Sequence, residues 1–186
     1  MLVSPFLFGD AVNRSALLAA VATAIALSAC STVAPTLPSV RTVPGQATDQ
    51  GQHVQLDNPG DAEQIVLFSY GLLGTGYRFG GRNPEAGLDC SGMVSYVVEQ
   101  VSGVRLPHNA ARIAAQTRVI PTGSLQPGDL VFFNTQNRPY SHMGIYLGDG
   151  KFIHAPSSKG KVRVERMNNR YFAQRFDGAR SLFSDG

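Results

Sequence analysis

The order of periodicities along this 186-residue chain predicts an α+β fold, with helices first and an antiparallel sheet after them. Three observations carry that reading. Between Asp61 and Gln116 apolar residues recur at helical spacing. From Leu130 onward the runs become short and rich in β-branched and aromatic residues. A hairpin signal, Gly148-Asp149-Gly150, separates two of those runs. The length suits one domain, and 43% hydrophobic against 16% charged residues allows a core.

The first 60 residues read differently. Ala16 to Leu27 is an apolar run with Arg14 upstream, too short for a bilayer, which needs about 20 helical residues. It ends in LSAC, which resembles the lipobox of bacterial lipoproteins. That resemblance implies a signal peptide over 1–29 and diacylglycerol on Cys30, with cleavage just before it. Further acylation would make the membrane anchor stable, since one chain alone is marginal. Ser31, rather than Asp, follows Cys30; in Gram-negative lipoproteins this implies the outer membrane, facing the periplasm. Residues 30–60 carry Pro35, Pro38, Pro44 and Pro59 among small polar residues and are expected to be an extended tether, with His53 solvated in it. The expected folded domain is 61–186.

Within that domain, Ile65, Val66, Phe68 and Leu72 place a helix over Asp61 to Leu72, after the cap cluster Asn58-Pro59-Gly60. Six glycines between Gly71 and Gly87 mark a long loop that carries Tyr77. Met93, Val94, Val97, Val98 and Val101 form one face of a helix over Cys90 to Val101, with Asp89 as N-cap and Gly103 beyond its end. A shorter helix is expected from Asn109 to Gln116. Strands are expected at Leu130 to Asn134, His142 to Leu147, Lys151 to Ala155, Val162 to Met167 and Ala179 to Phe183, with a helical turn at Tyr171 to Phe176.

The chemistry concentrates at Cys90. A free cysteine is often an inert core residue. This one opens a helix after a glycine-rich loop, where free amides favour an anion and can lower a thiol pKa. A thiol nucleophile needs a base and an orienting group. His142 and His154 lie twelve residues apart on adjacent expected strands. A three-residue turn with Gly150 left-handed and bulged would pair Leu147 with Lys151 and set both imidazoles on one face. Cys90, His142 and His154 are residue types that zinc takes as ligands, but no CxxC-type spacing supports a metal. Asp129 reads as turn chemistry and His108 as a rim residue. The net charge of +3 is scattered, with no basic run, so nucleic acid is not an expected partner.

TGYRFGG, LDCSGMVSYV, LPHNAARIA, LQPGDLVFF and SHMGIYLGDGKFIHAP, in that order, resemble the NlpC/p60 cell-wall peptidases. The resemblance implies a papain-like cysteine peptidase with helices packed on a sheet of about five to six antiparallel strands. It implies Cys90 as nucleophile, His142 as base, His154 as third polar residue and Tyr77 beside the oxyanion hole. It also implies Asp89 and Ser91 as substrate-holding residues, peptidoglycan stem peptides as partner, a monomer, and no cofactor. The bond stays open between the D-glutamate to diaminopimelate link and the D-alanine to diaminopimelate cross-link, with the anchor tilting toward the cross-link. A non-catalytic wall-binding lipoprotein is the alternative.

Overall fold

The computed structural model describes residues 53–157 and 160–184. The expected signal peptide, Cys30 and the tether as far as Gln52 lie outside the described residues. The end of that tether is corrected. Val54 donates its amide to Gln116, Leu56 donates to Leu182, and Leu56 is buried. The folded domain therefore starts ahead of residue 60, because an apolar side chain at Leu56 finds the core. His53 is exposed, as expected.

Helix α1, Asp61–Tyr70, turns Ile65 and Ser69 inward. The glycine-rich stretch that follows holds a small hairpin, β1 Arg82–Asn83 with β2 Gly87–Leu88. Helix α2 runs Cys90–Ser102, and its Met93, Val94, Val97 and Val98 are fully buried. Asp89 caps it by accepting from the Gly92 amide, and Gly103, at φ 73°, ends it in the left-handed conformation expected of a C-terminal glycine. Helix α3, Ala110–Ala115, is capped by Asn109.

The sheet has six antiparallel strands in the order β3-β8-β4-β5-β6-β7. These are β3 Arg118–Ile120, β4 Leu130–Phe133, β5 His142–Gly148, β6 Lys151–His154, β7 Arg163–Arg166 and β8 Phe176–Ser181. The short helix α4, Arg170–Ala173, stands between β7 and β8. β3 is not among the expected strands, because three residues are too few to show a period. One expectation needs adjustment. β8 begins at Phe176 rather than Ala179: Asp177, Gly178 and Arg180 give it a polar look, yet it pairs on both sides in mid-sheet.

The sheet separates two apolar layers. Leu130, Phe132, Met143, Ile145 and Ile153 belong to the layer that contains α1 and α2. Val131, Phe133, Phe152 and Phe172 make the smaller layer. Fully burying each such side chain contributes about 1.5–3 kcal/mol, so the larger layer dominates stability.

The β5–β6 turn sets the histidine register. Ile145 pairs with Ile153 and Tyr146 with Phe152, but Gly148 pairs with Lys151. The extra residue is therefore a bulge at Leu147–Gly148 in β5, followed by a two-residue turn at Asp149 and Gly150. Both turn residues have positive φ, 51° and 66°, as a type I′ turn requires. The expected three-residue turn and Leu147–Lys151 pair are thus corrected: the turn holds two residues, and the extra residue that keeps the histidines on one face is a bulge in β5. The register still sets Gly144 against His154, with only 3.2 Å from a would-be Gly144 Cβ to the His154 Cβ.

Candidate functional site

Asp89 organises the site. Its Oδ1 accepts from the Gly92 amide at 2.7 Å, the Ser91 hydroxyl at 3.0 Å and His108 Nε2 at 2.8 Å. Its Oδ2 accepts from the Gly80 amide at 3.0 Å. One carboxylate thus ties the glycine-rich loop to the first turn of α2 and to the segment before α3. The Ser91 hydroxyl proton is committed to Asp89, so only its lone pairs are left for anything in the groove.

His108 corrects the reading of a rim residue. Arg82 Nε donates to His108 Nδ1, which leaves the ring proton on Nε2 to be donated to Asp89. The side chain is only 9% exposed. The signal that could have found it is LPHN itself: a proline-fixed histidine just before a helix cap is well placed to reach back across the fold.

Cys90 sits at the start of α2, partly buried against the core. The amides of Met143, Ser91 and Cys90 itself pull its pKa down, but burial first and Asp89 second push it up to about 11. The helix start is therefore outweighed, and the resting group is a neutral thiol, not the low-pKa thiolate expected from position alone. Among the described residues no side chain hydrogen-bonds its sulfur.

His142 opens β5, and its side chain takes the face of Phe133 and Phe172, opposite to its neighbour Met143. It can approach Cys90 only at this end of the strand, where the Met143 amide points at the sulfur. The carboxylate of Asp89 acts on both groups. His142 Nε2 lies 2.7 Å from His154 Nδ1 in a buried hydrogen bond. Burial, partly opposed by Asp89, pushes His142 down to about 4. Burial, then His142 and Arg163, push His154 down to about 2. Both imidazoles are neutral at pH 7.

Tyr77 is fixed by its amide, which donates to Gly160, and by a bridge to Leu88. Burial raises its pKa, with Cys90 and Asp89 adding to the effect, so its phenol keeps its proton and can donate. Tyr77, Asp89, Cys90, Ser91 and His108 line one cavity of about 470 Å³. The structure thus gathers five groups at one groove and joins the two histidines beside it. Asp129 is a turn residue, accepting from the Gln126 amide at 2.7 Å. Among the described residues no cluster of three metal-ligating side chains forms.

A helix-borne thiol and, on the antiparallel sheet, a hydrogen-bonded imidazole pair define the class: an α+β domain with a cysteine at a helix start beside a buried histidine pair. The sequence model of the NlpC/P60 family matches residues 74–181, and the chain belongs to that family. Murein DD-endopeptidase MepS/Murein LD-carboxypeptidase of Escherichia coli strain K12 is 31% identical over 173 residues, covering 89% of this chain and 90% of that protein. Murein DD-endopeptidase MepH of the same strain is 35% identical over 115 residues, and gamma-DL-glutamyl hydrolase of Bacillus subtilis strain 168 is 39% identical over 117. Those matches take in 60% and 62% of this chain but only 42% and 28% of the two relatives, so the chain spans less than half of either. The crystal structure of the NlpC/p60 domain of the peptidoglycan hydrolase SagA superposes with a TM-score of 0.57 at 32% identity, over 64% of this chain and 97% of that one.

Proposed function

We propose that this protein is a peptidoglycan endopeptidase that hydrolyses amide bonds of stem peptides or their cross-links through Cys90. The observation that carries the reading is the 2.7 Å His142–His154 hydrogen bond on the strand whose Met143 amide points at the Cys90 sulfur. Family membership and relatives named as murein endopeptidases supply the substrate class.

The chemistry follows from the protonation states. His142 must offer a free Nδ1 to take the thiol proton. Its remaining proton then sits on Nε2 and is donated to His154 Nδ1, which fixes the ring. Because the resting thiol and imidazole are both neutral, proton transfer accompanies sulfur attack on the carbonyl carbon. The Cys90 amide and the Tyr77 hydroxyl donate to the oxyanion; one such donor was worth about 2.7–4 kcal/mol in a measured case. The C–N bond breaks as His142 Nδ1 returns the proton to the leaving amine. Water, deprotonated by His142, then cleaves the thioester and restores the thiol. Asp89 and Ser91 border the acyl-side groove and hold substrate there.

We extend the proposal to location: a lipid on Cys30 holds a monomeric enzyme at the outer membrane, facing the periplasm. Digestion of purified sacculi tests the function. Wild-type enzyme should release shortened or uncross-linked muropeptides, read by mass, which also identifies the bond. Release by Cys90→Ala at the wild-type rate would refute the nucleophile. Metabolic labelling with a fatty-acid probe, lost in Cys30→Ala, tests the anchor.

A further inference from the structure

A second cavity, of about 480 Å³, lies on the other side of the histidine pair. His142 and His154 line it together with Arg163, Glu165, Asn169 and Tyr171, whereas Cys90 and Tyr77 do not. Thr135 borders this cavity and its neighbour Gln136 borders the thiol groove, so one loop divides the two.

Two residues that line this space, His154 and Arg163, carry hydrogen-bond donors without a partner among the described residues. The first is set by the tautomer chain. With His142 Nε2 donating to His154 Nδ1, the proton of His154 must sit on Nε2. That nitrogen is buried and has no hydrogen-bond partner among the described residues, in a side chain 1% exposed. A buried donor left unpaired costs about 1–3 kcal/mol, so it calls for an acceptor. The second is Arg163. It is register-paired with His154 across β6 and β7, and directly opposed residues share a face. Its Nε is held by Glu165 at 2.9 Å, while the terminal guanidinium nitrogens make no hydrogen bond among the described residues. Two donors, one cationic, side by side, select an anion.

We propose that this cavity binds a free carboxylate on the amine side of the cleaved bond, with Arg163 and His154 Nε2–H as its donors. The assignment rests on the hydrolase reading above. His142 protonates the leaving amine, so the amine side must lie along His142, away from the Tyr77 and Asp89 groove. The whole His142–His154 pair separates the reacting atoms from the proposed donors. The carboxylate is therefore several bonds from the scissile nitrogen. Two sources share that chemistry: the far end of a diaminopimelate side chain, or the C-terminus of the residue after it. Arg163 and His154 act here as substrate-positioning residues.

Binding of the amine-side product tests this without turnover. The probes are a diaminopimelyl-alanine dipeptide and its two mono-amides, titrated calorimetrically into full-length wild type, Arg163→Gln and Glu165→Gln. Wild type should bind the free acid about tenfold or more tighter than one of the amides, and which amide suffers identifies the source. Arg163→Gln should bring the free acid to the level of that amide. Glu165→Gln, which releases the guanidinium, should widen the difference. Equal affinity of wild type for all three peptides overturns the proposal, as does an Arg163→Gln variant that weakens all three by one factor. Sacculus digestion judges the hydrolase reading separately, so the two failures are distinguishable.

Discussion

Acid should unfold this domain through its own histidine pair. His142 and His154 have folded pKa values of about 4 and about 2, against 6.5 when unfolded. The folded values are depressed, so the unfolded chain binds more protons below pH 6.5. The stabilising contribution is therefore present above pH 6.5 and is lost as pH falls, down to about 4 for His142 and about 2 for His154. At pH 5 each imidazole, charged in the unfolded chain and neutral in the fold, removes about 2 kcal/mol, or about 4 kcal/mol for the pair. That is a large part of the 5–15 kcal/mol typical of a domain. Urea unfolding at pH 7.5 and pH 5.0, followed by circular dichroism, measures the loss. His154→Gln keeps a hydrogen-bonding partner for His142 but does not titrate. Its loss between the two pH values should be about 2 kcal/mol smaller than that of wild type. Equal losses in both proteins would refute the claim that His154 is held neutral by burial.

Three further outcomes follow from the same geometry. With its pKa pushed up to about 11, Cys90 should react with iodoacetamide slowly at pH 6 and progressively faster toward pH 10; fast labelling below neutral pH, abolished by Cys90→Ala, would show a thiolate instead. His108→Ala removes one donor from Asp89 and should cost about 1–3 kcal/mol by thermal denaturation, together with a drop in kcat; His108→Gln, able to donate from its amide, should recover part of both. Gly92→Ala would place a Cβ 1.9 Å from the Gly81 carbonyl oxygen, so backbone must move, and a loss of about 3 kcal/mol or failure to fold is expected; a variant with wild-type stability would show that the glycine loop yields easily.

Much of this domain is legible in its sequence because its elements are locally consistent. Helix α2 carries its cap at Asp89, its apolar face and its terminating Gly103 in one stretch. The pairing of His142 with His154 is legible in part: parity demands one extra residue in the hairpin, but whether it falls in the turn or, as here, in a bulge at Leu147–Gly148 depends on the partner strand. The hidden parts depend on distant partners. β8 reads as polar until Phe132 and Phe133 are known to flank it. His108 looks peripheral because its partners, Asp89 and Arg82, lie 19 and 26 residues away. The thiol pKa misleads for another reason. Position at a helix start is visible in sequence, whereas the desolvation that outweighs it is a property of the folded surroundings.

The bulge at Leu147–Gly148 bears on how such a protein can tolerate insertions and deletions. Surface hairpins ordinarily accept length changes freely. Here a residue added at the turn or lost at the bulge is absorbed there, with the ladder from Tyr146 and Phe152 onward unchanged. A single residue added or lost inside the ladder, between Gly144 and Tyr146 or between Phe152 and His154, would instead rotate one imidazole to the opposite side of the sheet. Lineages and designs should therefore vary the tip of this hairpin freely and its laddered segments only in steps of two.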